Sequence, residues 1–422
     1  MNLHTFDHLD SQARDILHLN DRGGYTVPTA GLYPYQWNWD SAFAAWGFAT
    51  FDMDRAWQEL ETLFAAQWET GMVPHIIFHR VDPDYFPGPD VWGGVGPVPS
   101  SGISQPPVAA SIARWMYDMD PDVCHARADA LFAKMAAWHA WFMEWRTEEG
   151  AVCITHPWEA GRDNTPDWDG AMAGIDPVGV GEYHRRDTSH VDGSMRPKKY
   201  DYDRYLYLVQ LGHRLKWDDA AWKAQCPFRV ADPTMTFILL RAQRDLAALG
   251  KLLGHDVSEI EAAIPVLEAG CSTLWNEALG SYDARDVKSG EWSNCVSNAS
   301  FLNWYAGINN AEMMGQFDRV TALCRYPVPS HDPASHHFEP KRYWRGPTWA
   351  MMNAMIGMGL AECGMAGRAE ALRNATRDMI ANHGFAEYFD PLNGDPAGGQ
   401  SFTWTAAIWL AWAARSKADG DV

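Results

Sequence analysis

The stretch Tyr33-Pro34-Tyr35-Gln36-Trp37-Asn38-Trp39-Asp40-Ser41-Ala42-Phe43-Ala44-Ala45-Trp46-Gly47-Phe48 carries two signals at once. Its second half sets Phe43, Trp46 and Phe48 at helical spacing, with Asp40 placed to cap the first turn. The pattern restarts immediately: Asp52 is a second cap, and Trp57, Leu60 and Phe64 fall on one stripe. Outward from here the same period marks helices over 105–117, 121–146, 200–215, 232–249, 256–275, 297–306, 315–326, 347–361, 365–381 and 401–415. Upstream lies one more, over 7–19. Ala, Leu and Met fill these segments, as helix propensity favours. Val73 to Phe78 and Ala151 to Ile154 are short strand candidates, and no βαβ rhythm, GxGxxG or GxxxxGKS occurs. The expected class is all-α.

The longest connections are 67–104, 147–199, 277–296, 327–346 and 382–400. They mix Gly, Pro, Asn and Asp with aromatics, and loops this long usually have a function. Their recurrence at helix-pair intervals predicts a repeated αα unit with its loops gathered at one end. No linker divides the chain. One catalytic domain over 1–422 is expected, with 67–104 and 147–199 as its main cap loops.

Of 422 residues 47% are hydrophobic, enough for one large core, and the 22 Trp mostly supply core bulk. A formal charge of −20 argues against a nucleic-acid partner. No 18-residue apolar run predicts a membrane span, and Met1 to Asp10 lacks a signal-peptide pattern. The seven cysteines include no CxxC pair, so free thiols in a reducing, cytoplasmic setting are expected. No patch in the sequence marks an oligomer interface.

The first half of the opening stretch is the chemical signal. Aromatic faces cover the apolar C–H patches of a sugar ring, and a fixed carboxylate accepts its hydroxyls. Tyr33, Trp37, Trp39 and Asp40 offer both, and Tyr343-Trp344-Arg345-Gly346-Pro347-Thr348-Trp349 repeats the chemistry. Glycoside hydrolysis also needs two carboxyls, one protonated and one to activate water or attack carbon. In Gly161-Arg162-Asp163-Asn164-Thr165-Pro166-Asp167-Trp168-Asp169, aromatic cover and neighbouring acids would raise the pKa of Asp163, although an Asx-rich surface turn has the same composition. In Gly384-Phe385-Ala386-Glu387-Tyr388-Phe389-Asp390, Glu387 sits among aromatics, either as a general base or bound to backbone amides of a nearby loop. His75 suits the core or a substrate contact. Arg345 is placed to reach a sugar oxygen or to lock Glu387 or Asp163. His190, Asp192, His336 and His337 form no strict ligand spacing, and no GxSxG elbow occurs, so neither a catalytic metal nor a cofactor is expected.

Together these motifs resemble the glycoside hydrolase clan that holds the glucosidase I family, family 63, and the trehalases. The closest resemblance is to its short bacterial mannosylglycerate and glucosylglycerate hydrolases, and it spans nearly the whole chain. It implies an (α/α)6 barrel, with Asp163 as general acid and Glu387 as general base of an inverting mechanism, their carboxyls about 6.5–9.5 Å apart. It also implies sugar-pocket roles for Tyr33, Trp37, Trp39, Asp40, His75, Trp344 and Arg345, and substrate contacts for Gln105 and Gln400. A glycerate aglycone needs a local cation; Arg196 is the candidate, with Tyr85 and Arg186 behind it. The segment 82–99 would form a lid. The expected substrate is therefore a small α-glucoside or α-mannoside. The alternatives are an α-glucosidase for a neutral disaccharide, a sugar epimerase or isomerase with paired pocket histidines, and a non-catalytic carbohydrate-binding protein.

Overall fold

The computed structural model describes residues 6–414. Helix dominates, with sixteen α-helices among the described residues. Long helices alternate along the chain between two environments. Asp7–Asn20, Met53–Ala65, Pro121–Trp145, Ser258–Thr273, Glu312–Thr321 and Ala366–His383 bury one side and expose the other. Each is followed by an inner segment that is largely buried: Asn38–Ala49, Ala109–Met119, Pro233–Leu253, Asn298–Asn303, Ala350–Glu362 and Thr403–Ile408. Asn38–Ala49 is buried at every position, which explains its run of Ala, Phe and Trp where an outer helix carries charge. Its Gly47 lets the Thr403–Ile408 helix approach: a Cβ there would stand 2.7 Å from Ala407. One continuous apolar cluster runs from Leu9 to Ala413.

The two ends of the described chain meet. Trp409 Nε1 donates to Asp10 at 2.7 Å, and Asn20 donates to the Thr403 hydroxyl at 3.0 Å. Small antiparallel pairings brace the loop end. Gln36–Trp37 pairs with Ile76–Ile77, and Tyr388–Phe389 with Pro396–Ala397. A four-stranded sheet joins Thr147–Glu148, Ala151–Ile154, Val230–Ala231 and Arg285–Asp286.

Several local expectations change. Asp40 does not cap its helix; Trp37 holds the cap position and Asp40 lies in the first turn. Asp52 does cap, accepting from Arg55 N at 3.0 Å. The 297–306 segment is a 3-10 turn over Asn298–Asn303, because Ser297 and Ser300 bond reciprocally and the Ser300 hydroxyl donates to the Tyr282 carbonyl. The 401–415 helix shifts to π geometry over Trp409–Ala413, and residue 415 lies outside the described residues. Short helices at Pro89–Trp92, Asp169–Ala173, Asp187–His190 and Asp219–Gln225 had no periodic signal. No helix among the described residues is long and apolar enough to cross a membrane.

Candidate active site

The loops enclose a cavity of about 840 Å³, part of it open to solvent. Of the site candidates singled out in the sequence, Tyr33, Trp37, Trp39, Asp40, His75, Gln105, Asp163, Arg196 and Glu387 line it, as do Tyr85 and Arg186. The Gln36–Trp37 pairing aims Trp37 inward, where it meets Tyr33 edge-on at 5.2 Å and Tyr85 at 5.8 Å. Gln105 accepts from Trp39 N at 3.3 Å. His75 stacks on Trp158 and shares a 3.0 Å bond with Ser101. Burial and nearby His156 hold its pKa well below the usual range, so it is a neutral wall of the cavity.

Asp163 follows a 3-10 turn, Pro157–Ala160, that closes at Gly161 with φ +67°. A Cβ at Gly161 would lie 2.5 Å from Trp39, so only glycine lets this turn pass the indole. The next residue is the anchor. Arg162 is fully buried and pairs with Asp167 at 2.7 Å and Asp232 at 3.1 Å. Asp232 caps the Pro233–Leu253 helix, which ties the loop to the inner layer. The Asp163 carbonyl accepts from Trp168 Nε1 at 2.9 Å and the Tyr205 hydroxyl at 2.8 Å. Its carboxyl faces the cavity with a pKa pushed up to about 7. Removal from water is the main cause; Glu387 adds to it and Arg196 opposes it.

Glu387 comes from a loop that only tertiary contacts fix. Its N–H donates to Gly399 O at 2.8 Å, its carbonyl accepts from Trp404 Nε1 at 2.9 Å, and its Oε2 accepts from Gly399 N at 2.8 Å. The backbone-amide reading is thus half of the arrangement. The other half faces the cavity: Oε1 accepts from the Tyr33 hydroxyl at 3.1 Å, and Arg196 Nη1 lies 3.3 Å from both oxygens. Arg196 also bonds Asp187 at 3.2 Å and the Tyr33 hydroxyl, and lies over the Tyr343 ring. It is therefore more than a fork for an incoming anion, since two protein carboxylates already occupy it. Asp40 is buried, with its pKa driven well up by loss of water and then by Glu387 and Asp163.

Three expectations fail. Trp344 stacks on Trp349 at 3.8 Å and leans on Trp39 at 6.1 Å, so it backs the wall without lining the cavity. Arg345 reaches neither Asp163 nor Glu387; it pairs with Asp169 at 2.8 Å because the Asp169 helix start lies across the loop. Gln400 is exposed, and its carbonyl accepts from Thr29 at 2.6 Å. Of the metal candidates, the His190 side chain lies outside the described residues. Asp192 caps a turn, and His336 lies against His337 at a tilt of 41°. Sequence reasoning missed Asp187 and Tyr202 in the lining, and marked Trp158 only as part of the acid-rich segment. Arg185-Arg186-Asp187 carried a signal, as mixed charge in a loop, but nothing local says which of the three turns inward. Arg186 lines the cavity and pairs at 3.1 Å with Asp82 on the 82–99 segment.

The profile of the mannosylglycerate hydrolase MGH1-like glycoside hydrolase domain matches residues 33–405. A mannosylglycerate hydrolase of Thermus thermophilus is 44% identical, over 95% of this chain and 99% of that protein. A glucosylglycerate hydrolase of Mycolicibacterium hassiacum is 33% identical, over 96% of this chain and 97% of that protein. A crystal structure of a GH63 mannosylglycerate hydrolase from Thermus thermophilus, in complex with Tris and D-glycerate, superposes with a TM-score of 0.93. It is 44% identical and covers 96% of this chain and 99% of that one.

Proposed function

The chain belongs to glycoside hydrolase family 63, in its mannosylglycerate hydrolase-like branch, and from that premise we propose that it hydrolyses mannosylglycerate or glucosylglycerate with inversion at the anomeric carbon. One observation carries the reading: a single cavity presents Asp163, whose pKa is pushed up to about 7, and Glu387, ion-paired to Arg196. Asp163 donates its proton to the glycosidic oxygen as the C–O bond breaks. Glu387 takes a proton from water, which attacks the anomeric carbon from the opposite face and leaves an inverted sugar and free glycerate. Trp37, Trp39 and Tyr33 cover the ring, and Asp40 and Gln105 meet its hydroxyls.

The aglycone carboxylate enters a net-acidic protein, so it must meet a guanidinium. Arg196 spends its donors on Asp187, Glu387 and Tyr33. Arg186 is the better partner, exchanging Asp82 for the ligand. The epimerase alternative loses ground because His75 is the one histidine among the described residues of the lining. The six outer-and-inner helix pairs support an (α/α)6 barrel forming one domain over the chain. The seven free cysteines support a cytoplasmic location.

The test is a substrate panel of mannosylglycerate, glucosylglycerate, trehalose, kojibiose, nigerose and an aryl α-glucoside, with product anomers followed by NMR. Hydrolysis of a glycerate glycoside with inversion is expected, lost in both Asp163→Asn and Glu387→Gln. Near-wild-type turnover in either variant, or a product of retained configuration, removes the assigned roles.

A further inference from the structure

We propose that Asp167, Cys295 and His331 form a structural site for a divalent metal of the zinc class, which staples the loop bearing Asp163 to the segment behind it. All three side chains are buried, and their ligand atoms lie within 4.8 Å of one another. They come from three separate stretches of chain. Asp167 closes the acid loop. An antiparallel bridge sets Ser297 opposite His331, and Cys295, two residues before Ser297, shares its face. None of the three lines the sugar cavity.

His331 is the independent observation. It is 1% exposed, and neither ring nitrogen has a hydrogen-bond partner. A neutral imidazole carries one donor and one acceptor, and leaving either unmet in the interior is costly. A metal on one nitrogen resolves the acceptor directly.

Charge points the same way. Arg162 is one cation facing two buried carboxylates, Asp167 and Asp232. A divalent ion entering with a Cys295 thiolate adds one net positive charge and balances the group. On binding, the Cys295 thiol releases its proton to solvent and its sulfur lone pair forms the metal bond, with no change of oxidation state. Mixed sulfur, nitrogen and oxygen donors suit zinc; with three protein ligands instead of the four usual in structural sites, a water takes the fourth position. Bonds of about 2.0–2.3 Å set tetrahedral donors roughly 3.3–3.8 Å apart, so the widest pair closes by no more than about 1–1.5 Å. The site escaped sequence reading because no two of its ligands share a short motif.

The test uses untagged full-length protein purified without chelator. About one zinc per chain is expected by elemental analysis, with a melting temperature that falls on chelation and recovers on adding zinc. Cobalt reconstitution should give a thiolate-to-cobalt absorption band, absent in Cys295→Ser, and His331→Gln should weaken retention by about tenfold or more. Wild-type protein that keeps no zinc after reconstitution, or a cobalt spectrum without the thiolate band, overturns the proposal; so does a band that persists in Cys295→Ser. Wild-type cobalt spectra decide even if a variant fails to fold, and no readout depends on hydrolysis.

Discussion

Asp163 keeps its proton because the walls around it withhold water, and that has two consequences of opposite value. A general acid works only while protonated, so kcat/KM should fall as pH rises through about 7. The same shift weakens the fold. The folded carboxyl binds its proton more tightly than the unfolded one, whose ordinary value is 3.8. Its contribution to stability is fully present below about 3.8 and is lost as the pH climbs to about 7. Asn carries no charge to bury. Asp163→Asn should therefore be inactive yet more stable than wild type above pH 7, by the order of 1–4 kcal/mol. Denaturant unfolding of both proteins across this range checks it; equal stability throughout would mean that the carboxyl is well solvated. The sequence supplied the reason to look here, since two Trp and four acids crowd residues 158–169. It did not show that Arg196, read there as the partner of an aglycone carboxylate, pairs with Glu387 from 191 residues away.

At the scale of elements, helices were legible where one apolar face repeats, as in Met53–Ala65 and Pro233–Leu253. They were not legible where the segment is short, as in Asp187–His190, and their type and length were misjudged where side-chain hydroxyls compete for the backbone, as in Asn298–Asn303. The site loops follow the same division. Their composition marks them, but their partners lie on other loops, so Arg345 was assigned to the cavity and instead holds Asp169. The turn before Asp163 gives a direct test of loop placement. Gly161→Ala combines positive φ with a contact at 2.5 Å from Trp39. It should cost about 1–3 kcal/mol and raise KM by displacing the ring. Steady-state kinetics alongside thermal melting measures both, and an unchanged KM would show that Trp39 stays in place.

For the whole molecule, the packing of Asp7–Asn20 against the last inner segment matters most. Leu9, Ile16 and Leu17 are buried there, and Trp409 bonds Asp10. Burying three such side chains is worth about 1.5–3 kcal/mol each, close to the 5–15 kcal/mol that stabilises a whole domain. A chain lacking residues 1–20 should lose its cooperative unfolding transition, as followed by circular dichroism. A sharp, wild-type-like transition would show that the remaining helices hold themselves together.

That closure also orders events in time. The carbonyl of Glu387 is held by Trp404, and the Trp404 segment packs on helices from the first fifty residues. A chain still being synthesised has no seat for the Glu387 loop until Trp404 leaves the ribosome, and Trp39, which meets Trp404 edge-on at 6.2 Å, waits on the same segment. Hydrolytic competence therefore arrives in one late step, once that segment has emerged, and a chain stopped before it is a silent one.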